Sequence, residues 1–229
     1  MAPNGQYFLL PLWIFEDRTW TALSLSAKGI LMAIFRHVNR EGMAWPSQKT
    51  LGLEAGIKSR LAVRKATQEL VAFGLIEISK KRNPRGGPLN VYHRKISSDF
   101  NADGTDRFMP FFYSVIDSGT WRKCTPAGKA VYPVLRWKAK LYGDEDTDYG
   151  GGWIHEDDLE EHLQNRQWDI CRRANYESLS QLAKWAGVDR RSVGGALQNL
   201  HEVGLIEDMP AVRGAFRVML GACDEHCGK

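Results

Sequence analysis

Apolar and polar positions alternate along residues 59–73 with the period of a helix. At about 100° per residue, Val63, Ala66, Thr67, Leu70 and Phe73 fall on one side, and Arg60, Leu61, Arg64, Lys65 and Gln68 on the other. The flanking residues punctuate the pattern. Ser47 opens a helix through about Ala55, Gly56 makes a turn, Ser59 caps the longer helix, and Gly74 takes its C-terminal cap. Residues 75–79 then alternate as a strand, RNPRGGPLN supplies turn residues, and residues 91–96 return as the partner strand. This order of helix, turn, longer helix and hairpin predicts a helix-turn-helix with a β-hairpin wing.

The pattern occurs twice. WPSQKTLGLEAGIKSRLAVRKATQELVAFGLIE, from Trp45, aligns with YESLSQLAKWAGVDRRSVGGALQNLHEVGLIE, from Tyr176, with a one-residue gap near the helix start. Leu51, Ala55, Val63, Ala66 and Leu70 meet Leu182, Ala186, Val193, Ala196 and Leu200, and both copies close on GLIE. Upstream, Thr19-Trp20 before LSAKGILMAIF matches Thr120-Trp121 before TPAGKAVYPVL. Ser26 and Thr125 read as N-caps there, with Pro126 at a first helical position. In the second copy Ser178 and Asp189 are the expected caps, Gly187 the turn, and Arg213-Gly214 the hairpin turn. Trp20 and Trp121 recur at matching positions, which marks them as packing residues.

Composition adds a folded chain, with 43% hydrophobic and 25% charged residues. The N-terminal apolar run lacks a basic leader and is interrupted by Pro11, and nowhere do about 18 apolar residues follow one another. The expected setting is the cytoplasm, without membrane contact. Charge is divided between the halves. Residues 1–100 hold 15 Lys+Arg against 7 Asp+Glu, a net +8, whereas residues 101–229 hold 16 against 20, a net −4. Residues 60–95 alone hold nine cations, at 60, 64, 65, 80, 81, 82, 85, 94 and 95, against acids at 69 and 77. A patch of this kind suits phosphate, where released counterions drive binding.

The stretch GLEAGIKSRLAVRKATQELVAFGLIEISKKRNPRGGPLNVYHR resembles the winged helix-turn-helix of many bacterial and phage replication and regulatory proteins. Two such units in one chain resemble plasmid replication initiators of the Rep type, a resemblance that implies a bacterial cytoplasm with nucleoid or plasmid association. The expected fold class is α+β, mainly helical, with two winged helix-turn-helix domains in tandem. Residues 1–98 form the main DNA reader, 99–107 a linker, and 108–229 a second domain with an acidic insertion at about 143–163.

A helix-turn-helix lays its second helix in the major groove. On that basis Arg60 and Arg64 are candidates for guanine, Gln68 for adenine and Leu61 for a thymine methyl. Ser47, Lys58, Ser59 and Lys65 flank them, and Lys80, Lys81, Arg82, Arg85 and Arg94 of the wing are candidates for phosphate or the minor groove. In the second copy Gly194 and Gly195 replace Arg64 and Lys65, and Arg190, Arg191, Gln198 and Arg213 are candidates for weaker, accessory DNA contact, with a dimer surface as the alternative.

Enzyme signatures are missing. There is no phosphate-binding G-x-x-x-x-G-K-[ST] and no H-E-x-x-H. The segment from Asp144 puts Tyr149 where a calcium loop needs glycine, and CDEHC at the C-terminus lacks the paired spacing of a zinc site. No catalysis, metal or cofactor is expected. The expected partners are double-stranded DNA, further copies of the chain as a homodimer or an assembly on repeated sites, and replication-machinery proteins. The expected function is replication initiation at the origin of a plasmid, phage or other mobile element. A repressor on a palindromic operator and a partitioning or coating protein are the alternatives.

Overall fold

The computed structural model describes residues 6–83, 86–95, 108–139, 168–171, 178–208 and 216–221. The first half runs β1 (Tyr7–Pro11), α1 (Trp13–Glu16), α2 (Thr19–Ala22), α3 (Leu25–Arg36), β2 (Met43–Ala44), α4 (Gln48–Glu54), α5 (Arg60–Ala72), β3 (Ile76–Asn83) and β4 (Gly86–Arg94). The second half follows the same order through β5 (Phe108–Phe112), α6 (Ser114–Asp117), α7 (Thr120–Lys123), α8 (Pro126–Lys138), β6 (Trp168–Cys171), α9 (Leu179–Ala186), α10 (Arg190–Glu202), β7 (Ile206–Asp208) and β8 (Phe216–Met219). Helices and strands are mixed, and each half has a three-stranded antiparallel sheet, ordered β2-β4-β3 in the first and β6-β8-β7 in the second.

Local chemistry sets the helix ends. Ser47 accepts from the Thr50 amide at 3.0 Å, Ser59 from Ala62 at 3.3 Å, Thr125 from Gly128 at 3.0 Å and Ser178 from Gln181 at 3.1 Å. Each satisfies an amide that the first helical turn leaves unbonded. In the first half this role falls to Ser24 rather than Ser26. Its hydroxyl accepts from the Ala27 amide at 3.2 Å, and its place in the repeat is that of Thr125. Phe73 also departs from the expected stripe. It is the C-cap residue of α5, 42% exposed, because the chain leaves the helix at Ala72 and turns through Gly74 at φ 69°.

The wing is longer than its hydrophobic alternation. β3 and β4 continue through Lys80↔Asn90, Lys81↔Leu89 and Arg82↔Pro88, so much of the expected turn is strand. The ladder satisfies backbone groups whatever the side chains, and alternation marks only the part that covers a core. Pro88 is tolerated because β2 pairs β4 only at His93 and Tyr92, leaving the other edge open at Pro88.

The halves do not have separate cores. Phe8, Trp20, Ile30 and Phe35 join Phe111, Trp121, Val131 and Leu135 in one buried cluster. β1 pairs antiparallel with β5, and Tyr7↔Phe112, Leu9↔Pro110 and Pro11↔Phe108 place equivalent residues symmetrically about Leu9 and Pro110. α3 packs on its equivalent α8. The buried Trp20 donates from Nε1 to the Ala130 carbonyl at 3.0 Å, and Trp121 donates to the Gly29 carbonyl at 3.2 Å. Gly56, at φ 67°, leaves room for the Arg122 carbonyl, which a Cβ would meet at 2.6 Å. Gly187, at φ 64°, does the same for the Thr21 carbonyl, at 2.2 Å. Every one of these contacts is reciprocal, so the seam has the pseudo-two-fold symmetry of an isologous dimer built within one chain. The expected linker at 99–107 and acidic insertion at about 143–163 lie outside the described residues.

Candidate nucleic-acid interface

The turn between α4 and α5 is closed by Gly56 and by the Ile57 amide, which donates to the Gly52 carbonyl at 2.7 Å. Val63, Ala66, Thr67 and Leu70 are buried beneath α5, which packs on α3. That leaves Arg60, Leu61, Arg64, Lys65 and Gln68 together on the exposed face, with Leu61 60% exposed. Ser47, Lys58 and Ser59 are exposed at the N-terminal ends of the two helices. Arg60 is held over α4 by a hydrogen bond from its Nε to Gln48 Oε1 at 3.2 Å.

The acids near this face are turned to other partners. Glu69 accepts from the Ser24 amide at 2.5 Å and the Ser24 hydroxyl at 2.6 Å, placing its charge at the N-terminus of α3. Glu54 lies 2.8 Å from His37 Nε2. Glu77 pairs with Lys95 at 3.1 Å. Within the described residues Lys58, Arg64, Lys65, Lys80, Lys81 and Arg82 have no ion-pair partner, and all are exposed. Uncompensated cations on a helix face and the adjoining ribbon form a surface fitted to a polyanion. Arg94 stands apart, half-buried at the root of the wing opposite Ile76. Arg85 and Arg213 lie outside the described residues.

In the second half, Val193, Ala196 and Leu200 are buried and Arg190, Arg191, Gly194, Gly195 and Gln198 are exposed. Arg190 Nε donates to Ser180 Oγ at 3.0 Å, much as Arg60 does to Gln48. Gln198 Nε2 donates to Glu202 Oε1 at 3.0 Å, and Asp189 caps the helix by accepting from the Arg191 amide at 2.7 Å. A Cβ added at Gly194 or Gly195 would meet nothing within 4 Å.

Sequence reasoning missed Gln48, Glu69 and Ser24, which hold the basic face in place and remove its nearest acid. The second half has the same arrangement, the Thr125 amide donating to Asn199 Oδ1 at 2.6 Å in the positions of Ser24 and Glu69, but a contact between helices leaves no local signal in the sequence.

A turn-linked helix pair whose second helix exposes a basic face, followed by a basic hairpin, defines the winged helix-turn-helix class of DNA-binding proteins. Residues 21–76, from the end of α2 to the start of β3, match the family model of a helix-turn-helix domain, which supports that assignment. No curated protein and no solved structure matches the chain. Among the described residues no helix is long and apolar enough to cross a membrane, and no group of three His, Cys, Asp or Glu is placed to hold a metal ion. The C-terminal CDEHC segment lies outside them.

Proposed function

We propose that the protein binds duplex DNA sequence-specifically through two winged helix-turn-helix units, as an initiator of replication on a plasmid, phage or other mobile element. The observation that carries this is the exposed row Arg60, Leu61, Arg64, Lys65 and Gln68 on α5, continuous in charge with Lys80, Lys81 and Arg82 on the wing. Arg60 and Arg64 read guanine, Gln68 adenine and Leu61 a thymine methyl, while the wing holds phosphate. The replicative role is supported by the repeat of the unit within one chain, an arrangement like that of tandem winged-helix initiators. No catalytic step is part of this reading.

A second reading, a repressor on a palindromic operator, is favoured by the pseudo-two-fold seam, since two heads related by such an axis meet inverted half-sites. Selection of bound fragments from host and mobile-element DNA, at about 150 mM salt, separates the two. Directly repeated sites beside an AT-rich segment support initiation, and a single palindrome over a promoter supports repression. Enrichment of no sequence would overturn specific reading altogether. At the selected site Arg64→Ala costs about 1–3 kcal/mol and relaxes one base position, whereas Lys81→Ala weakens all sequences alike and lowers the salt slope by about 1. Titration of labelled duplex at several salt concentrations measures both.

A further inference from the structure

We infer that the duplex this chain takes is an inverted pair of unequal half-sites, bound in one orientation by a single chain, with α5 on a strict half-site and α10 on a tolerant one. The inference rests on the DNA-binding reading above and adds to it the form of the site and the source of its polarity.

The form follows from the seam. Heads related by a two-fold axis meet half-sites that run in opposite directions on the duplex. The seam also fixes their separation. Each helix-turn-helix is anchored on the other half through its own turn glycine, Gly56 against the Arg122 carbonyl and Gly187 against the Thr21 carbonyl. Both heads therefore pack on one shared core, and a second chain is not needed to supply the second half-site.

The polarity follows from the exposed faces. The arginine at the helix start is kept in both heads, as Arg60 and Arg190, and the glutamine two turns on is kept as Gln68 and Gln198. Between them the heads differ, with Arg64 and Lys65 on α5 and Gly194 and Gly195 on α10. The fold does not require these glycines. Neither adopts a positive φ, and the space over both is open to 4 Å. Glycine also weakens a helix interior, so packing gives no reason for the pair. A glycine has no side chain with which to tell bases apart, so the middle of α10 faces DNA with backbone alone. Base contact on α10 is left to Arg190 and Gln198 at either end of that gap, Arg191 is placed for phosphate, and between them selectivity comes only from groove shape. The hairpins diverge in the same sense. Exposed Asp208 stands in β7 where β3 has Ile78 before Lys80, Lys81 and Arg82, while Glu207, 3.6 Å from Arg217, is common to both hairpins as Glu77 with Lys95.

The test uses the full chain. Random duplexes are selected and sequenced at about 150 mM salt, and the mass of the complex is measured by sedimentation. One chain per duplex is expected, with inverted half-sites, one rich in base information and the other poor. Three duplexes are then compared by anisotropy: the selected site, a strict–strict site and a tolerant–tolerant site. The wild type should lose about tenfold or more on the tolerant–tolerant duplex and change less than about twofold on the strict–strict one. The variant G194R/G195K, which has room for its new side chains, should prefer the strict–strict duplex by about tenfold. The wild-type base profile stands as a measurement even where this variant folds poorly. Equal information in both half-sites, half-sites in direct repeat, or two chains per duplex would overturn the inference and leave DNA binding intact. Failure to select any duplex sequence would overturn the DNA-binding reading and this one with it.

Discussion

The two halves differ in opposite ways inside and outside. Inside, Trp20 and Trp121 donate to matching carbonyls, Lys28 and Lys129 are both buried, and Gly56 and Gly187 both seat a carbonyl of the other half. At the rim of the seam the same places have changed chemistry. The first half joins the second through Arg36, whose Nε and Nη2 donate to the Asp117 carboxylate at 2.6 and 2.8 Å beneath the Tyr113 ring. In the second half the position of Arg36 is Trp137, which stacks on Phe15 at 5.3 Å, and Lys138 lies 3.6 Å from the Trp137 ring and 4.3 Å from that of Trp185. The face of α10 has exchanged two cations for glycines. A close-packed interior holds both copies to one solution, because a change on one side must be matched across the axis. Solvent imposes no such match, so the exposed faces are free to differ by function, whereas inside a changed residue such as Arg136 in the place of Phe35 must still be packed.

The largest expected effect tests whether the turns are part of the seam. Gly187→Ala combines a left-handed backbone with a Cβ at 2.2 Å from the Thr21 carbonyl, and should cost roughly 3 kcal/mol or more. Gly56→Ala, at 2.6 Å from the Arg122 carbonyl, should come close behind. Gly74→Ala and Gly204→Ala share the positive φ but have open space, and should cost only about 1–2 kcal/mol. Urea unfolding of the four variants gives the ranking. Equal losses at all four positions would show that the turns do not dock.

Much of this architecture was legible in the chain, and the part that was not has a physical reason. Periodicity found α5 and its buried stripe because Val63, Ala66, Thr67 and Leu70 are buried against the core while Arg60, Leu61, Arg64, Lys65 and Gln68 face water. The capping residues Ser47, Ser59, Thr125 and Ser178 were legible because a cap is a local bond within three residues. The repeat was legible as well, but its meaning was not. Pairing of β1 with β5 and the exchange of tryptophan hydrogen bonds join residues about a hundred positions apart, and no local pattern records such a partner. The strand residues Lys80, Lys81 and Arg82 were hidden for a different reason, since they pair in the ladder without covering any core. Of the interface, the exposed cations could be read directly, whereas the removal of Glu69 to Ser24 depends on a contact between helices.

A smaller effect sharpens the symmetry. Trp20→Phe and Trp121→Phe each remove a buried donor across the seam while keeping most of the ring. Each should cost about 1–2 kcal/mol in urea unfolding. The two losses should agree closely, because each indole meets the same carbonyl position in the other half. A large loss at one and none at the other would mean that the seam is symmetric in shape but not in energy.

The smallest effect concerns the paired lysines and appears as a pH dependence. Lys28 donates from Nζ to the Leu23 carbonyl at 2.5 Å, and Lys129 to the equivalent Cys124 carbonyl, so each ammonium lies at the C-terminal end of a short helix. Burial pushes the Lys28 pKa down to about 8, against the weaker opposing pull of Glu69. Burial lowers Lys129 likewise, with Cys124 opposing. An unfolded lysine titrates near 10.4, so above pH 8 the unfolded chain holds protons that the folded chain has released, and stability rises with pH. Below pH 8 both states are protonated, the slope vanishes, and the cost of the buried charge remains in full. Cys124, pushed up to about 11 by burial, acts in the opposite sense. Its unfolded thiol ionises from about pH 8.5, which destabilises the fold as pH rises further. Between pH 8 and 9 Lys28 alone should add about 1 kcal/mol, against the opposing ionisation of the unfolded Cys124 thiol. Across that interval the change in urea midpoint should be most favourable in the wild type, less so in Lys28→Met, and flat or falling in Lys28→Met/Lys129→Met. A rise that survives in the double variant would place its source outside the seam and separate the two halves in the one interior feature that the sequence repeats as a charge.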